Sequence, residues 1–262
     1  MSFLRQTPAT KTPTLPLTPP ANVVHKVFDL LSFVEKLPLQ IECMTCYDNM
    51  FILGTNCGRM LINEVKINEG LPNKIEAVFE KSISTTKKPI LQLEAIKPFS
   101  ILIALFDSQL HVFDLNRLQL LYSIPKTKGC SLFATSISAD QKLLRLCVAC
   151  KKKLQFFYIN IMNKNTSQFM ELTSDLELND LAKNLKFTKD NLIVFSMRKD
   201  YYYYELPSSS SAGAKQPETR FSTGTRQIEP LCEKLHNEFF ALGVDENKTI
   251  IYDTKGNKFE KI

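Results

Sequence analysis

Residues 144–159 read LRLCVACKKKLQFFYI, and the fold can be worked out from this stretch. Two apolar runs of strand length are separated by the triplet Lys151, Lys152 and Lys153. In the first run Leu144, Leu146, Val148 and Cys150 alternate with Arg145, Cys147 and Ala149. In the second, Leu154, Phe156 and Tyr158 alternate with Gln155, Phe157 and Ile159. Period-two alternation on either side of a tight polar break predicts a β-hairpin. Both faces are largely apolar, so both must be covered, and the hairpin belongs inside a stack of sheets.

The same pattern recurs in MFILGTNCGRMLINEV (50–65), SILIALFDSQLHVFDL (100–115), NLIVFSMRKDYYYYEL (191–206) and FFALGVDENKTIIYDT (239–254). The ends of successive units lie 50, 44, 47 and 48 residues apart. A hairpin repeated at that spacing is the signature of propeller blades. Strand-like runs at 41–47, 90–96, 130–138, 181–187 and 230–235 precede the hairpins, and runs at 75–83, 118–124, 168–172, 219–222 and 257–262 follow them. The expected fold class is all-β: a β-propeller of four-stranded blades, about five of them. Segment 23–34 (VVHKVFDLLSFV) reads as a strand rather than a short helix and has no blade of its own. The ring is therefore expected to be incomplete, which would leave strand edges exposed.

Residues 1–22 are rich in Thr and Pro and are expected to form a disordered tail, leaving 23–262 as the propeller domain. SSSSAGAK (208–215) reads as a flexible loop inside the fourth blade. The seven cysteines are an odd number, and the N-terminus lacks the apolar run of a secretion signal, which points to a reduced, cytoplasmic setting. No apolar run is long enough to span a bilayer, so any membrane association is expected to be peripheral. The formal charge of +6 permits an acidic partner without requiring one.

Several segments carry a resemblance to a known family: EKLPLQIECM (35–44), GTNCGRMLI (54–62), KTKGCSLFATSI (126–137), LRLCVACKKKLQ (144–155), RKDYYYYEL (198–206) and STGTRQIEPL (222–231). They resemble the N-terminal citron-homology (CNH) domain of the vacuolar protein sorting-associated protein 39 family, subunits of the HOPS tethering complex. The related CORVET subunit, transforming growth factor-β receptor-associated protein 1, is the rival resemblance. The resemblance implies a seven-bladed propeller followed by an α-solenoid that binds other HOPS subunits. Against that pattern the propeller here is expected to be truncated at its C-terminal side. It further implies a non-enzymatic interaction module that works with Rab-type small GTPases. The setting would be the tethering of late endosomes, autophagosomes and lysosomes before fusion.

Catalytic and metal chemistry finds little support. Cys43-x-x-Cys46 and Cys147-x-x-Cys150 suggest a zinc site, but residues three apart on a strand point to opposite faces, and small buried cysteines are the expected outcome. His25, His111 and His236 are scattered over the chain, with His111 on the strand face of Phe113. No hydrolase, zincin or phosphate-loop motif occurs. Gly54 and Gly58 read as turn glycines with positive φ. Tyr201, Tyr202, Tyr203 and Tyr204 could stack on bases, yet alternation sends two to each face and into the core, so no nucleic-acid partner is expected. No cofactor is expected either. A catalytic site in the central channel would need converging polar groups, and the sequence shows no such cluster.

One constellation remains. In a propeller the turn between a blade's second and third strands shares a rim with the loop that enters the next blade. This places Lys151, Lys152, Lys153, Arg198 and Lys199 on one rim, joined by Lys126 and Lys128 and also by Lys87, Lys88 and Arg226. Asp107, Asp175, Glu177, Asp180 and Asp245 fall there too. The rim reads either as a solvated surface or as a docking face for an acidic partner or for phosphoinositide-bearing membrane. In the membrane case, association would be weak and sensitive to salt.

Overall fold

A computed structural model describes residues 39–67, 75–162, 168–173, 175–198, 200–206, 218–222, 231–235, 239–245, 248–253 and 257–259. The tail at 1–22, the segment 23–34 and the loop 208–215 lie outside the described residues, as do His25, His236, Lys199 and Arg226.

The chain is all-β. Blade one comprises β1 (Ile41–Tyr47), β2 (Met50–Thr55), β3 (Arg59–Ile67) and β4 (Ile75–Ser84), hydrogen-bonded in that order. Blade two comprises β5 (Gln92–Ile96), β6 (Ile101–Phe106), β7 (Gln109–Asp114) and β8 (Leu120–Ser123). Blade three is built on β9 (Cys130–Ile137), β10 (Leu143–Cys150) and β11 (Lys153–Asn160). Its outer edge is split between β12 (Met170–Glu171) and β13 (Leu176–Glu177), which pair with opposite ends of β11. Blade four comprises β14 (Ala182–Phe187), β15 (Leu192–Met197), β16 (Asp200–Glu205) and β17 (Glu218–Ser222), and blade five β18 (Cys232–Lys234), β19 (Phe239–Asp245) and β20 (Lys248–Asp253). All pairings are antiparallel, and the described residues do not close a ring.

The hairpin at 144–159 is the centre of blade three, and its two faces enter two different cores. Leu144, Leu146, Val148, Cys150, Phe157 and Ile159 pack with Ile103, Leu105, Leu110 and Val112 of blade two. Cys147, Ala149, Leu154 and Phe156 pack with Leu185, Phe187, Ile193 and Phe195 of blade four. Strand alternation therefore feeds both blade interfaces from one hairpin. Each fully buried side chain of this size contributes about 1.5–3 kcal/mol of transfer free energy. Ile52, Met60 and Ile62 meet Leu102, Ala104 and Phe106 between blades one and two in the same way. Val194, Tyr201 and Tyr203 meet Phe240 and Leu242 between blades four and five.

Three expectations need correction. A single strand at 168–172 does not form the outer edge of blade three. The chain leaves the ladder after Leu172, whose N–H still donates to the Phe156 carbonyl at 2.9 Å, and the Asp175 carboxylate reaches Gln155 Nε2 at 3.5 Å and Lys153 Nζ at 3.9 Å before Leu176 rejoins β11. The run at 257–262 is present only as the bridge Tyr252↔Lys258 among the described residues, and 260–262 lie outside them. Gly54 is not a turn glycine. It lies within β2, where a Cβ would come 2.6 Å from Cys43 Sγ and 3.0 Å from Ile90 Cγ2, so it permits close approach rather than positive φ. Gly58 does sit in a turn, with φ of 77°.

Candidate functional site

The first strands of the five blades line a cavity of about 360 Å³ around the axis. Its wall includes Met44 of β1, Gln92 and Glu94 of β5, Phe133 and Thr135 of β9, Lys186 of β14 and Glu233 of β18. Gln92 acts as a short piece of ladder between blades: its Nε2 donates to the Phe133 carbonyl at 2.7 Å, and its Oε1 accepts from the Phe133 N–H at 3.1 Å. Thr135 Oγ1 donates to Glu94 Oε1 at 2.5 Å. Burial pushes the Glu94 carboxyl above the usual range, against the opposing pull of the Thr135 hydrogen bond and the Lys186 charge. Lys186 Nζ reaches both Glu233 oxygens at 3.0 Å.

The channel thus holds a converging polar cluster, contrary to the sequence reading. The missed signal is that Gln92 and Glu94, Thr135, Lys186 and Glu233 are polar positions on the first strand of four different blades. A buried carboxyl with a raised pKa is the raw material of a general acid. Here, though, Glu94 is held by Thr135 and Lys186 by Glu233, contacts that join blade two to three and blade four to five.

At the rim, the expected geometry holds. The Gly129 and Cys130 N–H groups donate to the Ser108 carbonyl at 2.7 and 3.1 Å, which fixes the loop entering blade three beside the β6–β7 turn. The Leu178 N–H donates to the Lys152 carbonyl at 2.8 Å, and Lys152 Nζ reaches the Asn179 carbonyl at 3.2 Å, which fixes the loop entering blade four beside the β10–β11 turn. Lys151 and Lys152 form that turn, with φ of 52° at Lys151, whereas Lys153 is the first residue of β11 and pairs with Cys150.

The charge balance at the rim differs from a bare basic patch. Lys153 Nζ lies 2.8 Å from Glu177 Oε1, Arg198 Nε lies 2.7 Å from Asp180 Oδ2, and Lys88 Nζ lies 2.9 Å from Asp107 Oδ1. Lys126 is paired with Glu171. The hydrogen bond from Arg198 holds the Asp180 carboxyl below its usual range, and that from Lys88 does the same for Asp107. Among the described residues, Lys87, Lys128 and Lys151 form no salt bridge, and the Lys152 charge, with its Nζ on the Asn179 carbonyl, also helps lower the Asp180 carboxyl. The Lys151 side chain runs beside Gly129, next to Lys128: a Cβ on Gly129 would lie 3.4 Å from Lys151 Cε.

Other residues singled out in the sequence serve the core. Tyr201 and Tyr203 belong to the interface between blades four and five, while Tyr202 and Tyr204 pack into that between three and four. Tyr201 Oη lies 2.9 Å from the Leu231 carbonyl and 2.7 Å from the Gly243 carbonyl. His111 stacks on Phe106 at a centroid distance of 3.8 Å, with Nδ1 2.8 Å from Ser123 Oγ. Burial lowers its pKa. Cys147 and Cys150 enter different cores, as alternation requires. Among the described residues, no helix is long and apolar enough to cross a membrane.

Antiparallel blades, three of them four-stranded, stacked face to face with their first strands around one cavity, define a β-propeller domain. The chain belongs to the CNH domain family, whose model matches residues 47–259. It is 29% identical over 246 residues to a human Vam6/Vps39-like protein, with 89% of this chain and 26% of the relative covered. It is 24% identical over 239 residues to the Drosophila melanogaster vacuolar protein sorting-associated protein 39 homolog, covering 87% of this chain and 26% of that one. The chain therefore spans about a quarter of the length of these relatives, by the 26% coverage in each. Among solved structures, the computationally designed Ika8 protein matches with a TM-score of 0.52 at 14% identity, covering 84% of this chain and 60% of that one, a likeness of fold alone.

Proposed function

We propose that this domain is a non-enzymatic interaction module of a membrane-tethering assembly. In this reading the rim of blades two to four docks the acidic surface of a Rab-type small GTPase. The observation that carries it is the group Lys128, Lys151 and Lys152. These residues stand on adjoining rim loops and form no direct salt bridge among the described residues, beside the ion pairs of Lys153 and Arg198. Similarity to Vam6/Vps39-like and vacuolar protein sorting relatives supports a place in traffic to the lysosome or vacuole. The domain would act from the cytoplasm, peripherally on late endosomal and lysosomal membranes, and other subunits of a HOPS-type complex would be held mainly outside it.

The test is the triple variant Lys128→Glu, Lys151→Glu, Lys152→Glu at low salt. It is assayed for capture of Rab-type GTPases loaded with either nucleotide, and for flotation with vesicles containing phosphatidylserine and phosphoinositide. Loss of nucleotide-dependent capture is the expected result. Loss of flotation alone, independent of nucleotide, would replace the GTPase by the anionic membrane. If both assays are unchanged, the rim is only a solvated surface.

A further inference from the structure

Two thiols face each other beneath this rim. Cys130 opens β9 and Cys150 closes β10, and the register pairs them across the ladder just past a bulge that skips Ser131. Directly opposed residues in an antiparallel pair have Cα atoms about 4.5–5.5 Å apart, inside the span of roughly 4.4–6.8 Å that a disulfide requires. Both side chains enter the same apolar cluster, at 2% and 7% exposure. Each thiol perturbs the other's titration, as two side chains on paired strand positions in one cluster would. The Cys130 thiol favours the thiolate on Cys150, with help from the Lys151 charge and opposition from burial and Asp175. Cys130 correspondingly keeps its proton. The remaining cysteines lack this arrangement. Cys147 points into the opposite core, and Cys43 Sγ is engaged with the Ile90 carbonyl at 3.1 Å.

We propose that Cys130 and Cys150 form a redox modification site, closed to a cross-strand disulfide by hydrogen peroxide. The Cys150 thiolate attacks one peroxide oxygen, forming an S–O bond as the O–O bond breaks. The departing hydroxide takes up a proton as water, leaving a sulfenic acid on Cys150. The Cys130 thiol loses its proton and its sulfur attacks Cys150 Sγ. The S–S bond forms, the S–O bond breaks, and a second water leaves. The two sulfurs together give up two electrons, and the peroxide accepts them. The product staples the loop entering blade three, which carries Lys126 and Lys128, to the turn that carries Lys151 and Lys152. The site is independent of what docks on the rim.

The folded protein is treated with hydrogen peroxide and quenched, its remaining thiols are capped with N-ethylmaleimide in denaturant, and the digest is mapped by mass spectrometry. A peptide containing Cys130 linked to one containing Cys150 is expected, with the loss of two titratable thiols that dithiothreitol restores. In Cys130→Ser the linkage disappears, and Cys150 instead accumulates a sulfenic acid that dimedone traps. Two results would overturn the proposal: Cys130 and Cys150 both capped after peroxide treatment, or linkage confined to the exposed Cys46 and Cys57. The mapping of the unmodified sequence does not depend on whether the variant folds.

Discussion

Arg198 and Asp180 meet across the rim at 2.7 Å, and each stabilises the other's charged form. The loop that enters blade four thus neutralises a cation on that blade's own turn. Much of the rim's basic charge is spent in this way on holding loops in place.

Removing the acidic members should therefore strengthen anion binding. Asp180→Asn combined with Glu177→Gln and Asp175→Asn frees Arg198 and Lys153 without adding any cation. Vesicle flotation at about 0.1 M salt should rise, and the gain should vanish near about 1 M, where the screening length falls from roughly 10 Å to 3 Å. No change at low salt would show that the pairs do not limit the rim's potential.

Glu94 predicts a pH dependence of stability. Its folded pKa is raised by burial, so the folded state holds the proton more tightly than the unfolded state does. The stabilisation is complete below the ordinary carboxyl pKa and is lost as pH rises through the folded value. Urea midpoints measured across the acidic range should show this decline, and Glu94→Gln should remove it. Thr135→Val removes the hydrogen bond that lowers the pKa and should extend the decline to higher pH.

The two glycines of blade one should fail for different reasons. Gly58→Ala places a Cβ at a φ of 77° and 2.3 Å from the Thr86 carbonyl oxygen. Left-handed strain alone costs about 1–2 kcal/mol, and the backbone clash adds to it. Gly54→Ala drives a Cβ into Cys43 Sγ, an overpacking worth about 1–3 kcal/mol. Adding Cys43→Ala should recover part of that loss but none of the loss at Gly58. Chemical denaturation of the four variants forms the test, and equal recovery at both positions would contradict it.

Tyr201→Phe should loosen blade five. The hydroxyl bridges two carbonyls, those of Leu231 before β18 and Gly243 in β19. Its removal should cost about 0.5–1.5 kcal/mol. Amide exchange should quicken in β18 and β19 while β6 and β10 keep their protection.

The blade pattern was legible because a strand's side chains alternate strictly. From LRLCVACKKKLQFFYI alone, Leu146 and Cys147 had to enter different cores, and they do. The same rule placed Tyr201 and Tyr204 on opposite faces. The split edge of blade three was not legible. The return at Asp175 is met by charged and polar side chains of β11, whose reach is set by register rather than by local propensity. Gly54 was misread for a related reason, since φ requirements show up in local sequence but close approach to Ile90, far along the chain, does not.

Periodicity along one chain is enough for the all-β class and the hairpin repeat, and blade architecture then puts the loops of Lys128, Lys151 and Arg198 on one rim. Only the tertiary structure decided which cations are neutralised, that Glu94 and Lys186 share a channel, and that Cys130 faces Cys150. Those facts depend on distances between strands and blades far apart in sequence. Electrostatics and thiol chemistry act through such distances, not through the order of residues.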